Sequence, residues 1–202
     1  MRNSRYWHSR LMIIMASLLI FACSQQQTAP ETPTPVQALP FSVVSSGDAR
    51  ADLSTARTFS WAPGMQVVQQ DSRMGDVQLQ SILRDAIYST LIEKGYQSDD
   101  SGGRGDLQVG YIITLSDTPA DKNIAETYGV EANINLSTPD SALYEKGTLV
   151  IDIIDVKTGL TAWRSALQGF ASFQISEHER RQRINDMVQR MLSGLPDRYT
   201  GQ

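Results

Sequence analysis

Apolar residues in this chain recur with two periods, one of three to four residues and one of two. From Asp76 to Lys94, Leu79, Ile82, Leu83, Ala86, Ile87 and Leu91 fall at three- and four-residue spacings. That pattern predicts a helix with one apolar stripe. Asp76 is its candidate N-cap, and Gly95 stops it after the basic Lys94. Ser176 to Leu192 predicts a second helix with Ile184, Met187, Val188, Met191 and Leu192 as its buried stripe. Ser176 with Glu179 fits a capping box. Burying those five side chains is worth about 10 kcal/mol gross at about 2 each, so a charge at Val188 should unfold this helix.

The period of two marks the strands. Phe41 to Ser46 reads as a short strand closed by Gly47-Asp48, and Thr58 to Trp61 as a second strand stopped by Pro63-Gly64. These two are expected to pair. Leu107, Val109, Tyr111, Ile113 and Leu115 share one face of a third. Gly147 to Asp155 and Thr161 to Phe173 form two more, joined by a hairpin at Asp155 to Gly159. Between residues 116 and 146, Val130, Ala132, Ile134 and Leu136 alternate with polar residues and predict a partly exposed edge strand. The order β-β-α-β-(β)-β-β-α predicts an α+β domain: a two-layer sandwich, mostly antiparallel, with both helices on one face.

The N-terminus follows another logic. Arg2, Arg5 and Arg10 precede an apolar run of eleven residues, Leu11 to Phe21, which ends in Ile20-Phe21-Ala22-Cys23. At 1.5 Å per residue the run rises about 16 Å, half of a bilayer core. It matches a signal peptide rather than a membrane span. The small residue before Cys23 and the aliphatic one three before it resemble a bacterial lipobox, which implies cleavage at Cys23 and acylation of its thiol and amine. Cys23 is the sole cysteine, and lipidation gives a lone thiol a role in an oxidising compartment. The three acyl chains that this resemblance implies would anchor stably. Ser24 rather than aspartate points to the outer membrane. Residues 24–40 hold four of the chain's eight prolines and three consecutive glutamines, a composition that cannot repay its own ordering. As a tether at about 3.1 Å per residue they reach roughly 50 Å. The layout is thus signal peptide 1–22, lipidated cysteine and tether 23–40, one domain 41–197, and a tail 198–202.

Loss of residues 1–22 removes three arginines and no acid, leaving 15 basic and 22 acidic residues, a net of −7. Such a surface argues against nucleic acid, which needs a concentrated positive face. With no second cysteine the fold has no disulfide, and about 160 residues bury enough apolar surface to stand alone.

Five segments in order, the lipobox, Ala51 to Pro63, Ile82 to Tyr96, Asp106 to Tyr111 and Gly147 to Arg164, resemble the bacterial lipoproteins grouped as domain of unknown function 4136. The resemblance covers most of residues 41–197. It implies an envelope lipoprotein with a small α/β domain and no known activity.

Catalytic chemistry finds little footing. The only histidine after residue 22 is His178, expected on a solvated helix face beside Glu177 and Glu179. A Ser-His-Asp set would need it as base, and no G-x-S-x-G elbow accompanies it. No zinc spacing is present; Asp99-Asp100 reads as an acidic turn rather than a calcium loop. Gly102-Gly103-Arg104-Gly105 lacks the ending of a phosphate loop and reads as a turn. Arg180, Arg181 and Arg183 read as a solvated face offset by Glu177, Glu179 and Asp186. Trp61 and Trp163 are expected to cover the sheet. The sequence therefore predicts no enzyme, no cofactor and no metal. It predicts a lipid-anchored binding or assembly module on the periplasmic face of the outer membrane. Its partners are the membrane, through acyl chains on Cys23, and an unidentified envelope protein contacting Val130, Ala132, Ile134 and Leu136. The alternative is a small-ligand binder or a hydrolase of envelope polymers or lipids, which requires a pocket.

Overall fold

The computed structural model describes residues 39–48, 50–51, 53–68, 76–99, 105–115, 144–172 and 174–198. All lie in one compact unit, 38–202. In chain order the elements are β1 (Phe41–Ser46), β2 (Thr58–Val68), α1 (Asp76–Glu93), β3 (Gln97–Ser98), β4 (Leu107–Leu115), β5 (Tyr144–Asp155), β6 (Thr161–Ser172) and α2 (Glu177–Met191). Among the described residues the strands form one six-stranded sheet, β1-β6-β5-β4-β2-β3. β2 runs parallel to β3 and β4, and the other neighbours are antiparallel. The α+β architecture expected from the sequence is the one observed.

Both helices pack on one face of this sheet. The stripe of α1 is buried throughout, from Leu79 at 8% exposure to Ile87 and Leu91 at 0%. It meets Phe59 of β2, Leu107, Val109 and Tyr111 of β4, and Leu149, Ile151 and Ile153 of β5. Gly95 ends α1 with a left-handed φ of 87°. The Gly95 N–H donates to the Ile92 carbonyl at 2.9 Å and the Tyr96 N–H to Leu91 at 3.0 Å, the two-bond closure that glycine permits. The chain end then straps this helix terminus. Lys94 Nζ donates to the Leu195 carbonyl and to Asp197, both at 2.8 Å, and the Tyr96 hydroxyl donates to the Pro196 carbonyl at 3.0 Å.

α2 starts as read: Ser176 Oγ accepts from the Glu179 N–H, and the Glu179 carboxylate accepts from the Ser176 N–H at 2.8 Å. Val188, Met191 and Leu192 are fully buried, but Ile184 and Met187 only partly. The gross contribution of the stripe is therefore nearer about 6 kcal/mol than 10.

Three expectations change. β1 does not pair with β2; it lies antiparallel to β6, Phe41 opposite Gly169 and Ser46 opposite Arg164, while β2 lies beside β4 across the sheet. β2 also continues past Pro63-Gly64 to Val68, because the ladder to β4 breaks between Trp61 and Gln66 and resumes beyond. Proline costs little at such an irregularity. The two-residue β3 was not foreseen. The strand expected over Val130 to Leu136 lies outside the described residues.

The face away from the helices is also buried at its centre. Thr114, Thr148, Val150, Ala166 and Gln168 are exposed by 2% or less. On it Arg164 grips Asp152 with two bonds, Nε to Oδ1 at 2.5 Å and Nη2 to Oδ2 at 2.9 Å.

Candidate functional site

The site begins with two missing side chains. Gly147 of β5 and Gly169 of β6 are cross-strand partners, on the face that carries Leu149, Leu167 and both helices. Two facing glycines leave a bare patch where a β-sheet normally presents a pair of side chains. The patch is edged by Leu115, partner of Gly147 on β4, and by Phe41, partner of Gly169 on β1. Above it lies a partly open cavity of about 120 Å³.

Four elements supply most of its walls: Leu79 and Leu83 of α1, Ile113 and Leu115 of β4, Leu149 of β5, and Leu167 and Phe170 of β6. The remaining wall is α2, which contributes Arg180, Arg183, Ile184 and Met187. These four stand at i, i+3, i+4 and i+7, one face of a helix. A stripe that reads as cationic at one end and apolar at the other is therefore a single surface, turned into one cavity.

Arg183 is half-buried, and its Nη2 donates to the Phe170 carbonyl at 2.7 Å. Burial pushes its guanidinium below the usual arginine range, opposed by Tyr144 nearby. It remains a cation all the same. Among the described residues no carboxylate lies within ion-pair distance of Arg183 or Arg180, whereas Arg181 pairs with Glu177 at 2.9 Å and with Asp85 at 3.6 Å. The solvated-face expectation thus holds for Arg181 alone.

The other sequence candidates fall elsewhere. His178 is exposed in the first turn of α2. Asp99 follows the short β3, with its N–H on the Phe59 carbonyl at 2.8 Å. Gly105 is held against the Phe59 backbone, where an added Cβ would lie 2.8 Å from a carbonyl carbon. Trp61 covers the sheet as expected, edge-on to Tyr111 at 6.3 Å with the Arg84 guanidinium 4.3 Å over its ring. Trp163 packs partly buried against the core. Cys23, Val130, Ala132, Ile134 and Leu136 lie outside the described residues. Among the described residues no group of three or more His, Cys, Asp or Glu side chains is placed to hold a metal ion, and no helix is long and apolar enough to cross a membrane.

From Val43 in β1 to Asp197 beyond α2, the segments that build sheet, helices and cavity match a single family model, described as Domain of unknown function (DUF4136). The chain belongs to this family. Solved structures similar to this DUF4136 protein include the PelC dodecamer from Paraburkholderia phytofirmans, at 11% identity over 79% of this chain and 99% of that one, TM-score 0.45. A DUF4136 family protein from Bacteroides thetaiotaomicron gives 15% identity over 76% and 94%, TM-score 0.43. A PDZ domain protein from Parabacteroides distasonis gives 19% identity over 81% of this chain and 36% of that one, TM-score 0.45. No curated protein matches the chain.

Proposed function

We propose that this DUF4136 protein is a lipid-anchored lipoprotein of the cell envelope, held on the periplasmic face of the outer membrane through Cys23, and that its domain is a non-catalytic binding module for an apolar ligand. The cavity over Gly147 and Gly169 carries the binding part of the reading. Its walls are overwhelmingly aliphatic, and an open apolar recess beside a folded core is what ligand sites are made from. The anchor rests on the signal-like segment that ends at Cys23.

Two experiments test the two parts. Cells grown with an alkyne-bearing palmitate analogue should label the wild-type chain in the membrane fraction and leave Cys23→Ala unlabelled; equal labelling of both sinks the anchor. For the cavity, the chain from residue 23 onward with Cys23→Ser is titrated calorimetrically with 1-dodecanol below its solubility limit. Saturable binding that Ile184→Trp abolishes supports the reading, and no binding, or binding indifferent to Ile184→Trp, rejects it.

A second reading, assembly through a strand edge, is favoured by one observation. Among the described residues β1 stands at the end of the sheet order with β6 as its one strand partner, and a terminal strand can accept a strand from another chain.

A further inference from the structure

We infer that the cavity between α1, α2 and the Gly147–Gly169 floor takes the chain end of a single-chain alkyl anion of the fatty-acid class, with Arg180 and Arg183 receiving the carboxylate. This rests on the reading of the cavity as a binding site and adds charge and size to it.

Size limits the occupant. A cavity of about 150 Å³ lined by aliphatic and aromatic side chains stays dry and holds one benzene. At about 120 Å³, this one holds about five carbons of one alkyl chain. A second chain would have no place, which disfavours a diacyl lipid. The rest of a single chain, with its head group, lies along the rim.

Charge selects the head group. Arg183 uses one of five guanidinium N–H donors on the Phe170 carbonyl, and the others are available in a planar fork that fits a carboxylate with two parallel bonds. Arg180 lines the same cavity one turn earlier. Neither has a carboxylate within ion-pair distance among the described residues, although Arg181 between them has two. A half-buried cation is costly without a counter-charge, and a bound carboxylate supplies it. A neutral alkyl ligand would leave it unpaired, and a cationic one would repel it.

The test compares dodecanoate with 1-dodecanol, of equal chain length and no charge, on the chain from residue 23 onward carrying Cys23→Ser. Residues 1–37 lie outside the compact unit that contains the cavity, so removal of residues 1–22 leaves that unit whole. Titration calorimetry should show dodecanoate binding roughly ten- to hundredfold tighter than dodecanol, the range of a charge-assisted hydrogen bond. Arg180→Gln should erase about tenfold of that difference. Its side chain has no hydrogen-bond partner among the described residues, so the variant tests charge without disturbing the fold. Arg183→Gln is measured beside it, with thermal unfolding to confirm that it folds. If dodecanoate and dodecanol bind alike, or if both arginine variants keep wild-type dodecanoate affinity, the anion inference is overturned while the cavity reading stands. If neither probe binds, both fall.

Discussion

The Trp163 indole N–H donates to the Met191 carbonyl at 3.2 Å, which ties the start of β6 to the last turn of α2. The same ring closes over Gly194, where an added Cβ would lie 2.6 Å from Cη2 and 3.3 Å from Cζ2. Gly194 is itself exposed, so its need for glycine comes from the tryptophan and not from burial. Gly194→Ala should destabilise by about 1–3 kcal/mol, the cost of overpacking. Trp163→Phe removes the atoms that clash and costs about 1 kcal/mol for its hydrogen bond together with lost packing. In a Trp163→Phe background Gly194→Ala should then be nearly silent. A urea double-mutant cycle measures this coupling, and additive single effects would show that the ring does not constrain Gly194.

The two floor glycines differ in what surrounds them. A Cβ on Gly169 would meet Phe41 Cβ at 3.1 Å, and beyond it only the ends of Leu167 and Met187 at 3.5 and 3.8 Å. A Cβ on Gly147 would press on the Thr114 carbonyl oxygen at 3.0 Å, part of the β4 ladder. Phe41 sits on β1 at the end of the sheet order, which can shift outward, whereas a carbonyl in the ladder of the interior strand β4 cannot. Gly169→Ala should therefore change stability by less than about 1 kcal/mol, with the gain in backbone entropy offsetting the contact. Gly147→Ala should cost about 1–2 kcal/mol. Both should weaken dodecanol binding by raising the cavity floor. Thermal unfolding with titration of each variant checks the order, and a reversed order would mean that β4 yields more readily than Phe41.

This glycine pair shows where a single sequence stops being legible. Both residues fall inside strands that periodicity marks, and the hairpin expected at Asp155 to Gly159 is the one that joins those strands. Register was not readable. Ile154 pairs with Thr161 but Ile153 pairs with Trp163, so the ladder slips by one residue next to the turn. Counted from an undisturbed hairpin, Gly147 would face Gln168 and no bare patch would exist. One irregular residue flips which side chains share a face.

Local signals fared better than distant ones for the same reason. The capping box at Ser176 and the glycine stop at Gly95 involve neighbours in sequence, and both stand in the structure. β1 finds its partner about 120 residues away in β6, as the Ser45–Ser165 hydroxyl contact at 2.7 Å records. No pattern within Phe41 to Ser46 encodes that choice, and nearness in sequence favoured β2 wrongly. The arginines failed differently. Periodicity places Arg180 and Arg183 on the face of Ile184 and Met187, but the formal charges of Glu177, Glu179 and Asp186 suggest a solvated face that offsets all three arginines.

Asp106 fixes the start of the parallel β2–β4 pairing. Its Oδ2 accepts from the Arg57 N–H at 2.8 Å, the Thr58 N–H at 2.9 Å and the Thr58 hydroxyl at 3.0 Å. Those bonds, led by the one from the Arg57 amide, hold its carboxyl below the ordinary value of 3.8. A depressed carboxyl pKa contributes stability in full above the unfolded value and loses it as pH falls through the folded one. Asp106→Asn should therefore cost about 1 kcal/mol at neutral pH, kept small by solvent exposure. The gap to wild type should narrow as pH falls below the ordinary carboxyl value and close once the native carboxyl is also neutral. Melting temperatures of both proteins across the acid range test this, and parallel curves would show that the carboxylate charge contributes nothing.

The Arg164–Asp152 pair makes a prediction of opposite form. Asp152 is only 7% exposed at its side chain and Arg164 34%, so the pair formed at the expense of desolvating both groups. Removal of one partner strands the other, whereas removal of both lifts the desolvation cost. Asp152→Ala should destabilise by about 2–4 kcal/mol, the lower end being favoured by the partial exposure of Arg164. Asp152→Val combined with Arg164→Met should cost less than that single change, since both new side chains join Val150 and Ala166 on a buried face and suit a strand. Urea unfolding of the three proteins decides the matter. A double variant less stable than Asp152→Ala would mean that the ion pair is a net source of stability, and that this face depends on charge where its burial suggests packing.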